Sequence, residues 1–127
     1  MELHEATEAF SSLAQETRLQ VFKLLIEYGR EGTVPSKLAG ELKIPANTLS
    51  FHLAHMTRAG LVTSHKHGRS ITYVADTRFI EELIQYLQAH CCSRERDSRS
   101  IAQRSIALKS AVSNKKTHLK PGQERKC

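Results

Sequence analysis

Apolar side chains recur every three or four residues through the first 60 residues, which is the period of an amphipathic helix. The pattern predicts a first short helix and a second helix over about residues 17–28. The apolar positions of the first helix are Leu3, Ala6, Phe10 and Leu13. Pro35 predicts the start of a third helix, since proline at the first helical position loses no hydrogen bond. A fourth helix follows Pro45, after only Lys43 and Ile44 as a connection.

The fourth helix lies within residues 46–60, and its two faces differ in character. Leu49, Leu53 and Met56 mark an apolar face, with His52 at its edge. The opposite face carries Asn47, Ser50, Phe51, Ala54 and Arg58. A short amide, a hydroxyl, a ring and a methyl group suit the floor of a DNA major groove, where amides read adenine and apolar groups touch thymine methyls. The alternative is a core helix with a small-residue outer face.

After Gly60 the apolar period changes from about 3.6 to two, which predicts a β-hairpin with His67-Gly68-Arg69 at its tip. Two short helices across a tight turn, followed by a hairpin, form a winged helix-turn-helix. The candidate DNA-contacting residues are Asn47, Thr48, Ser50, Phe51, Arg58, Lys66, His67 and Arg69. Of these, Arg58, Lys66 and Arg69 are expected mainly to contact phosphate. A basic hairpin tip is also common on ordinary protein surfaces.

The richest apolar stripe of the chain lies in a fifth helix predicted over about residues 77–90. Its members are Phe79, Ile80, Leu83, Ile84 and Leu87. This is more apolar surface than one small core needs, so with the first helix it predicts a two-fold dimer interface. The alternative is a monomer that folds this helix back on itself. The expected fold class is therefore mainly α with a small β-hairpin, a dimeric winged helix-turn-helix.

Charge divides the chain into two parts. Residues 1–92 carry nine Lys/Arg and ten Asp/Glu, whereas residues 93–127 carry ten and three. We therefore expect a DNA-binding domain over 1–92 and a basic, mostly disordered tail over 93–127, with one weak helix possible around Ile101 to Val112. A basic tail indicates a polyanionic partner.

Other classes of protein are disfavoured. No stretch approaches the roughly 18 apolar residues of a membrane span, so no membrane partner is expected. The acidic start has no apolar run behind it, so no secretory signal is expected. Three cysteines, two of them adjacent, indicate a reduced, cytoplasmic protein with free, reactive or metal-binding thiols. An enzyme is the least favoured class, because no set of nucleophile, base and orienting residue is evident.

Four short segments, in a specific order and spacing, give the chain a resemblance to a known family. They are Leu13-Ala-Gln-Glu-Thr-Arg-Leu19, Asn47-Thr-Leu-Ser-Phe-His-Leu53, Ala59-Gly-Leu-Val62 and Gly68-Arg-Ser-Ile-Thr-Tyr73. Over about residues 6–92 the sequence resembles the ArsR-SmtB family of metal-responsive transcriptional repressors. The resemblance implies a homodimer that binds a palindromic double-stranded DNA operator and leaves it when an inducer binds.

The family's inducer sites are only partly matched. No cysteine lies between Ser36 and Gly60, so the early arsenic-type site is absent. The zinc-type site of the last helix keeps Asp76 and His90 but lacks their spacing partners. Cys91-Cys92 is the best match, since some arsenic-responsive members carry an adjacent cysteine pair there. Thiolates favour thiophilic ions, so we expect As(III) or Sb(III) as the inducer ion, with Cys127 as a further ligand and no obligatory cofactor.

Three functions follow from these observations. The first is a repressor released from its operator by arsenite or antimonite through Cys91 and Cys92. The second is a DNA-binding regulator that senses thiol oxidation. The third is an architectural DNA-binding protein in which the basic tail does most of the binding, which predicts a steep salt dependence and little sequence preference.

Overall fold

The computed structural model describes residues 1–95, which form five α-helices and one antiparallel hairpin, with a single 3-10 turn at Gly29–Glu31. The elements are α1 (Leu3–Leu13), α2 (Glu16–Tyr28), α3 (Pro35–Leu42), α4 (Ala46–Arg58), β1 (Val62–His67), β2 (Ser70–Ala75) and α5 (Thr77–Gln88). The predicted fold class of mainly α with a small hairpin, a winged helix-turn-helix, is confirmed. Ile101 to Val112 and most of the predicted tail lie outside the described residues.

The core is built where α1, α2, α3 and α4 meet. Its largest fully buried side chains include Val21, Leu25, Leu38, Leu49, Leu53, Met56, Leu61 and Val62. Removing this apolar surface from water is the main force that holds the helices together. The predicted apolar face of α4 is confirmed, because Leu49, Leu53 and Met56 are all buried.

The apolar stripe of α1 is divided between the core and the surface. Ala6 and Ala9 contact the core, whereas Leu3 is 70% exposed and Phe10 is 39% exposed. Small alanines let α1 approach its neighbours closely, and a helix turned onto these residues carries Leu3 and Phe10 outward. Two large apolar side chains of α1 are thus left on the surface.

The turn between α3 and α4 fixes the helix-turn-helix. Lys43 adopts a left-handed conformation with φ 56° and ψ 48°, and the Ile44 N–H donates to the Ala39 carbonyl at 3.1 Å. Pro45 then precedes the first residue of α4 in an extended conformation. This short connection, as predicted from the two residues before Pro45, presents α4 at the surface.

The hairpin is tied to the helical core by a third segment. Thr33 and Tyr73 exchange two backbone hydrogen bonds, of 3.0 and 2.8 Å, and form an isolated antiparallel bridge. Gly32 lies directly beside this bridge with φ +64°, and a Cβ atom there would lie 2.1 Å from the Tyr73 carbonyl oxygen. Only glycine allows the backbones to approach this closely, so the base of the hairpin has a defined position relative to α2.

The helix α5 begins as predicted and ends earlier than predicted. Asp76 caps it, since its Oδ1 accepts the Phe79 N–H at 3.0 Å. Leu83 is 2% exposed and anchors α5 to the core, whereas Ile84 and Leu87 are 49% and 63% exposed. The helix ends at Gln88, so Cys91 and Cys92 follow it and do not occupy its last turn.

Residues Met1–Leu87 form one compact unit, and a second unit begins at Gln88. Within the described residues of this second unit, the chain turns repeatedly, with φ of 63° at His90 and 61° at Cys92. In the part of the chain that the structure covers, no helix is long and apolar enough to cross a membrane.

Candidate nucleic-acid interface

The outward face of α4 is the centre of the candidate interface. Asn47, Thr48, Ser50, Phe51 and Ala54 are all exposed, while the opposite face is buried in the core. Their side chains are therefore held on a rigid element, and the N-terminal half of a recognition helix is the part that reaches base edges in the major groove.

Two of these side chains have defined surroundings. The Asn47 Oδ1 accepts the Thr48 N–H at 2.9 Å, which leaves the Nδ2 group free to donate to a base. Phe51 is 61% exposed, and its ring stands edge-to-face against His52, with the centroids 6.0 Å apart. An exposed aromatic ring on a reading helix suits contact with a thymine methyl.

The hairpin of β1 and β2 is the wing of the fold, and basic residues lie on both of its faces. Lys66 pairs with Ile71 across the strands, and His67 pairs with Ser70. Because neighbouring residues of a strand point to opposite sides, Lys66 and His67 face opposite sides of the wing. Arg69 lies in the two-residue turn between them. All three side chains are exposed, so this arrangement places positive charge around the whole tip.

Arg58 lies apart from the other predicted DNA contacts. It is eleven residues after Asn47 in the same helix, a distance of about 16 Å along the helix axis. There it lines a crevice of about 300 Å³ with Thr7, Glu8 and Ser11 of α1. The structure brings Arg58 together with α1 and does not bring it together with Asn47 and Phe51.

A polar cluster in the C-terminal half of α4 was not predicted from the sequence. The Ser12 hydroxyl and His55 Nδ1 are 2.9 Å apart, which joins α1 to α4. The Arg18 Nε donates to the Ser12 carbonyl at 2.7 Å, which joins α2 to the same point. The available sequence signal was the pair of histidines His52 and His55, which are three residues apart and so share one side of the helix.

His52 is buried in this region without a hydrogen bond to its Nδ1 atom in the described residues. Burial, followed by the charge of Arg18 and by His55, lowers the pKa of His52 from its ordinary value of 6.5. Burial disfavours the charged ring, and a proton on Nδ1 would have no acceptor among the described residues. The neutral imidazole is therefore the form that the folded protein favours.

This pKa shift predicts an acid-sensitive stability. Because the unfolded chain binds a proton on His52 more readily, the stabilising contribution of neutral His52 is present above pH 6.5 and is lost as the pH falls below it. Replacing His52 with Leu should reduce the loss in free energy of unfolding between neutral and mildly acidic pH, measured by urea denaturation. His4→Gln on the exposed side of α1 is the control. An unchanged pH profile in His52→Leu would contradict this assignment.

The two adjacent cysteines lie in the turns after α5. Their Sγ atoms are 3.4 Å apart. Cys91 is disulfide-bonded, whereas Cys92 is a half-buried free thiol, so the expectation of free thiols holds for Cys92 and is wrong for Cys91. In the residues that the structure describes, no three His, Cys, Asp or Glu side chains form a group suited to a metal ion. A metal site that used both sulfurs would first require reduction of the Cys91 disulfide. Cys127, the predicted third ligand, lies outside the described residues.

Comparisons with known proteins agree with this geometry. A family model described as a helix-turn-helix domain matches residues 13–65. An uncharacterised HTH-type transcriptional regulator of Methanocaldococcus jannaschii is 38% identical over 87 residues, which cover 67% of this chain and 94% of that protein. The transcriptional activator HlyU of Vibrio cholerae is 28% identical over 88 residues, covering 69% and 79%.

Solved structures show the same relationship. An ArsR-like transcriptional regulator from Rhodococcus sp. RHA1 superposes with a TM-score of 0.62 and 31% identity, covering 82% of this chain and 93% of that one. Reduced HlyU of Vibrio cholerae superposes with a TM-score of 0.55 and 26% identity, covering 70% and 90%. The α4 helix has a buried core face and an exposed reading face, and the wing lies beside it. Together with these relatives, these features show that the chain belongs to the ArsR-like family of winged helix-turn-helix, DNA-binding transcriptional regulators.

Proposed function

We propose that this protein is a cytoplasmic repressor that binds a palindromic DNA operator as a homodimer and releases it when a thiophilic ion binds. The observation that carries the DNA-binding part is the exposed face of α4. Asn47, Ser50 and Phe51 project from the N-terminal half of this helix, and Lys66 and Arg69 lie on the wing. The first three are assigned to base readout and the wing residues to phosphate.

The dimer is supported by apolar side chains left uncovered on α1 and α5. His4 and Glu5 of α1 line one crevice with Phe79 of α5, so the two helices are neighbours. Leu3, Phe10, Ile84 and Leu87 are each at least 39% exposed. A second copy that covers these residues removes their apolar surface from water and sets two copies of α4 about one helical turn of DNA apart.

Ion sensing is proposed for the protein in which the Cys91 disulfide has been reduced, and it is supported by the distance of 3.4 Å between the Cys91 and Cys92 sulfurs. At a metal–sulfur distance of about 2.3 Å, sulfurs at this separation subtend an angle of about 95°. Such an angle is narrower than tetrahedral and suits the pyramidal thiolate complexes of As(III) and Sb(III). A third sulfur from Cys127 or from the partner subunit completes such a site.

A thiol-oxidation sensor is the second candidate function, because Cys91 is disulfide-bonded and the free thiol of Cys92 lies 3.4 Å from its sulfur. HlyU, a relative, has been solved in a form described as reduced. Release of DNA by peroxide but not by arsenite would favour this candidate. An architectural role is tested by the salt slope and the sequence preference of binding.

The DNA-binding proposal is tested by selecting bound sequences from a random duplex library with the full chain. We expect a palindrome with half-sites about 34–36 Å apart. Asn47→Ala should weaken binding to the selected operator about tenfold and leave binding to unrelated DNA unchanged, because an amide that reads a base contributes only at the correct base.

Two further variants serve as controls for Asn47→Ala. Gln20→Ala removes an exposed amide from α2 and should bind operator like wild type. Arg69→Ala should weaken operator and unrelated DNA alike and reduce the salt slope by about one, because it removes a phosphate contact. An equal loss on both DNAs for Asn47→Ala would contradict the assignment of α4 as the reading helix.

A further inference from the structure

We propose that the hydrogen bond between Ser12 and His55 couples α1 to α4, so that a displacement of α1 changes the orientation of α4. His55 is then a positioning residue for operator binding, although it does not contact DNA itself. The inference rests on the proposed function, in which α1 forms part of the dimer interface and α4 reads the operator. It assigns a regulatory role to a polar pair, buried Ser12 and half-buried His55, that lies outside both the reading face and the cysteine turn.

The first argument is that this bond is directional where the other contacts are not. Apolar contacts such as those of Ala6 and Ala9 are non-directional. A hydrogen bond weakens steeply when its distance or angle changes. Among the described residues, the bond from Ser12 Oγ to His55 Nδ1, at 2.9 Å, is the side-chain hydrogen bond that links α1 with α4.

The second argument is that the Ser12 hydroxyl is buried and hydrogen-bonded to His55. Its side chain is fully buried, with 0% exposure, and a buried hydroxyl is costly to leave unpaired. Breaking the bond to His55 without another partner would leave a buried hydroxyl unpaired. A displacement of α1 that keeps this bond therefore carries His55 with it.

The third argument is that Ser12 is held from a second side. Its carbonyl accepts the Arg18 Nε at 2.7 Å, and the Arg18 N–H donates to Gln15 Oε1 at 2.8 Å. Residue 12 is thus fixed to the start of α2 through its backbone and to α4 through its side chain. This double attachment gives the end of α1 one defined position relative to both helices.

The position of His55 within α4 allows this hydrogen bond to influence the DNA-reading residues. It lies eight residues after Asn47, which is about 12 Å along the helix. Because the helix between them is rigid, a small rotation at His55 changes where Asn47 and Phe51 point. A change at the dimer interface can reach the reading face by this route.

The test is a double-mutant cycle on the full chain, with the operator selected by the wild type. Ser12→Ala and His55→Leu should each weaken operator binding roughly fivefold per half-site, the equivalent of one ordinary buried hydrogen bond. The double variant should lose no more than either single variant, because both remove the same bond. Binding to unrelated DNA should remain unchanged at a temperature where circular dichroism shows every variant to be fully folded.

A rescue variant and a matched control separate positioning from general stability. His55→Asn places an amide near the position of Nδ1, so it should retain most of the operator affinity. Thr7→Ala also removes a hydroxyl from α1, but that hydroxyl donates to the Leu3 carbonyl of its own helix at 2.9 Å. Thr7→Ala should therefore bind operator like wild type.

Each outcome decides the inference. Additive losses of operator affinity in the double variant, or equal losses of affinity for operator and unrelated DNA, would contradict the proposed coupling through Ser12 and His55. Either result would leave the proposed function intact. A wild type that selects no preferred sequence would overturn both. If Ser12→Ala does not fold, the operator affinities of His55→Leu and His55→Asn are compared instead. Equal affinities would contradict the proposed coupling, and an affinity about fivefold higher for His55→Asn would support it.

Discussion

Leu87→Glu is expected to convert the protein from a dimer to a folded monomer and to weaken operator binding by at least a hundredfold. Leu87 is 63% exposed within its own protomer, so the substitution costs the isolated chain little. In the dimer the carboxylate would be buried without a partner, which is strongly unfavourable. A monomer contacts one half-site and loses the gain of about 10²–10⁴ that comes from two linked contacts.

The choice of residue matters for this experiment. Leu83 belongs to the same apolar stripe, but it is only 2% exposed and supports the core of its own protomer. Leu83→Glu would therefore unfold the chain, and loss of DNA binding would say nothing about a dimer. Gln85→Glu adds the same charge to the exposed side of α5 and is the matched control.

Sedimentation and DNA binding together decide the dimer prediction. We expect wild type and Gln85→Glu to sediment as dimers and Leu87→Glu to sediment as a monomer with an unchanged circular dichroism spectrum. A wild type that sediments as a monomer, or a Leu87→Glu variant that stays dimeric, would show that α1 and α5 do not form the interface.

The second large effect is expected at the cysteine turn. Cys91→Ser and Cys92→Ser should each bind operator like wild type, yet arsenite should no longer release either of them. Serine keeps the size of the side chain but removes a thiolate, the ligand that thiophilic ions prefer. Release that moves a population from 99:1 to 1:99 requires about 5.5 kcal/mol of differential binding, and each serine variant removes one of the sulfur–ion bonds that contribute to it.

The titration should use fully reduced protein and a phosphine reductant, because a dithiol reductant would itself chelate arsenite. Arsenite, antimonite, zinc and peroxide are compared by fluorescence anisotropy of labelled operator. Cys127→Ser is the control and should keep most of the response if that residue is an auxiliary ligand. If both Cys91→Ser and Cys92→Ser still release DNA at the wild-type arsenite concentration, the inducer site lies elsewhere.

The conformation of this turn changes the expected mechanism. A pair of adjacent cysteines inside a regular helix would point about 100° apart, and chelation would have to break the helix. Here α5 has already ended at Gln88, and the left-handed residues His90 and Cys92 belong to a turn. Ion binding therefore has to fix the turn that follows α5, which is a smaller rearrangement than unwinding its last turn.

The sequence by itself determined the elements and the two faces of α4. Helical and strand periods are local properties, and Pro35, Pro45, Gly60 and Asp76 mark element boundaries through backbone constraints that act within a few residues. The apolar positions Leu49, Leu53 and Met56 had to be buried together, so the exposure of Asn47, Ser50 and Phe51 followed from the geometry of a helix. The family resemblance rested on the same local segments.

Only the tertiary structure decided which apolar residues serve the protomer and which remain uncovered. The first and last helices each carry a stripe, but neighbouring helices bury Ala6 and Leu83 and leave Leu3 and Leu87 exposed. The same packing brought Ser12 within 2.9 Å of His55 across 43 residues of sequence and placed Arg58 beside α1. Such contacts depend on how rigid elements meet in space, and periodicity within one element carries no information about its partners.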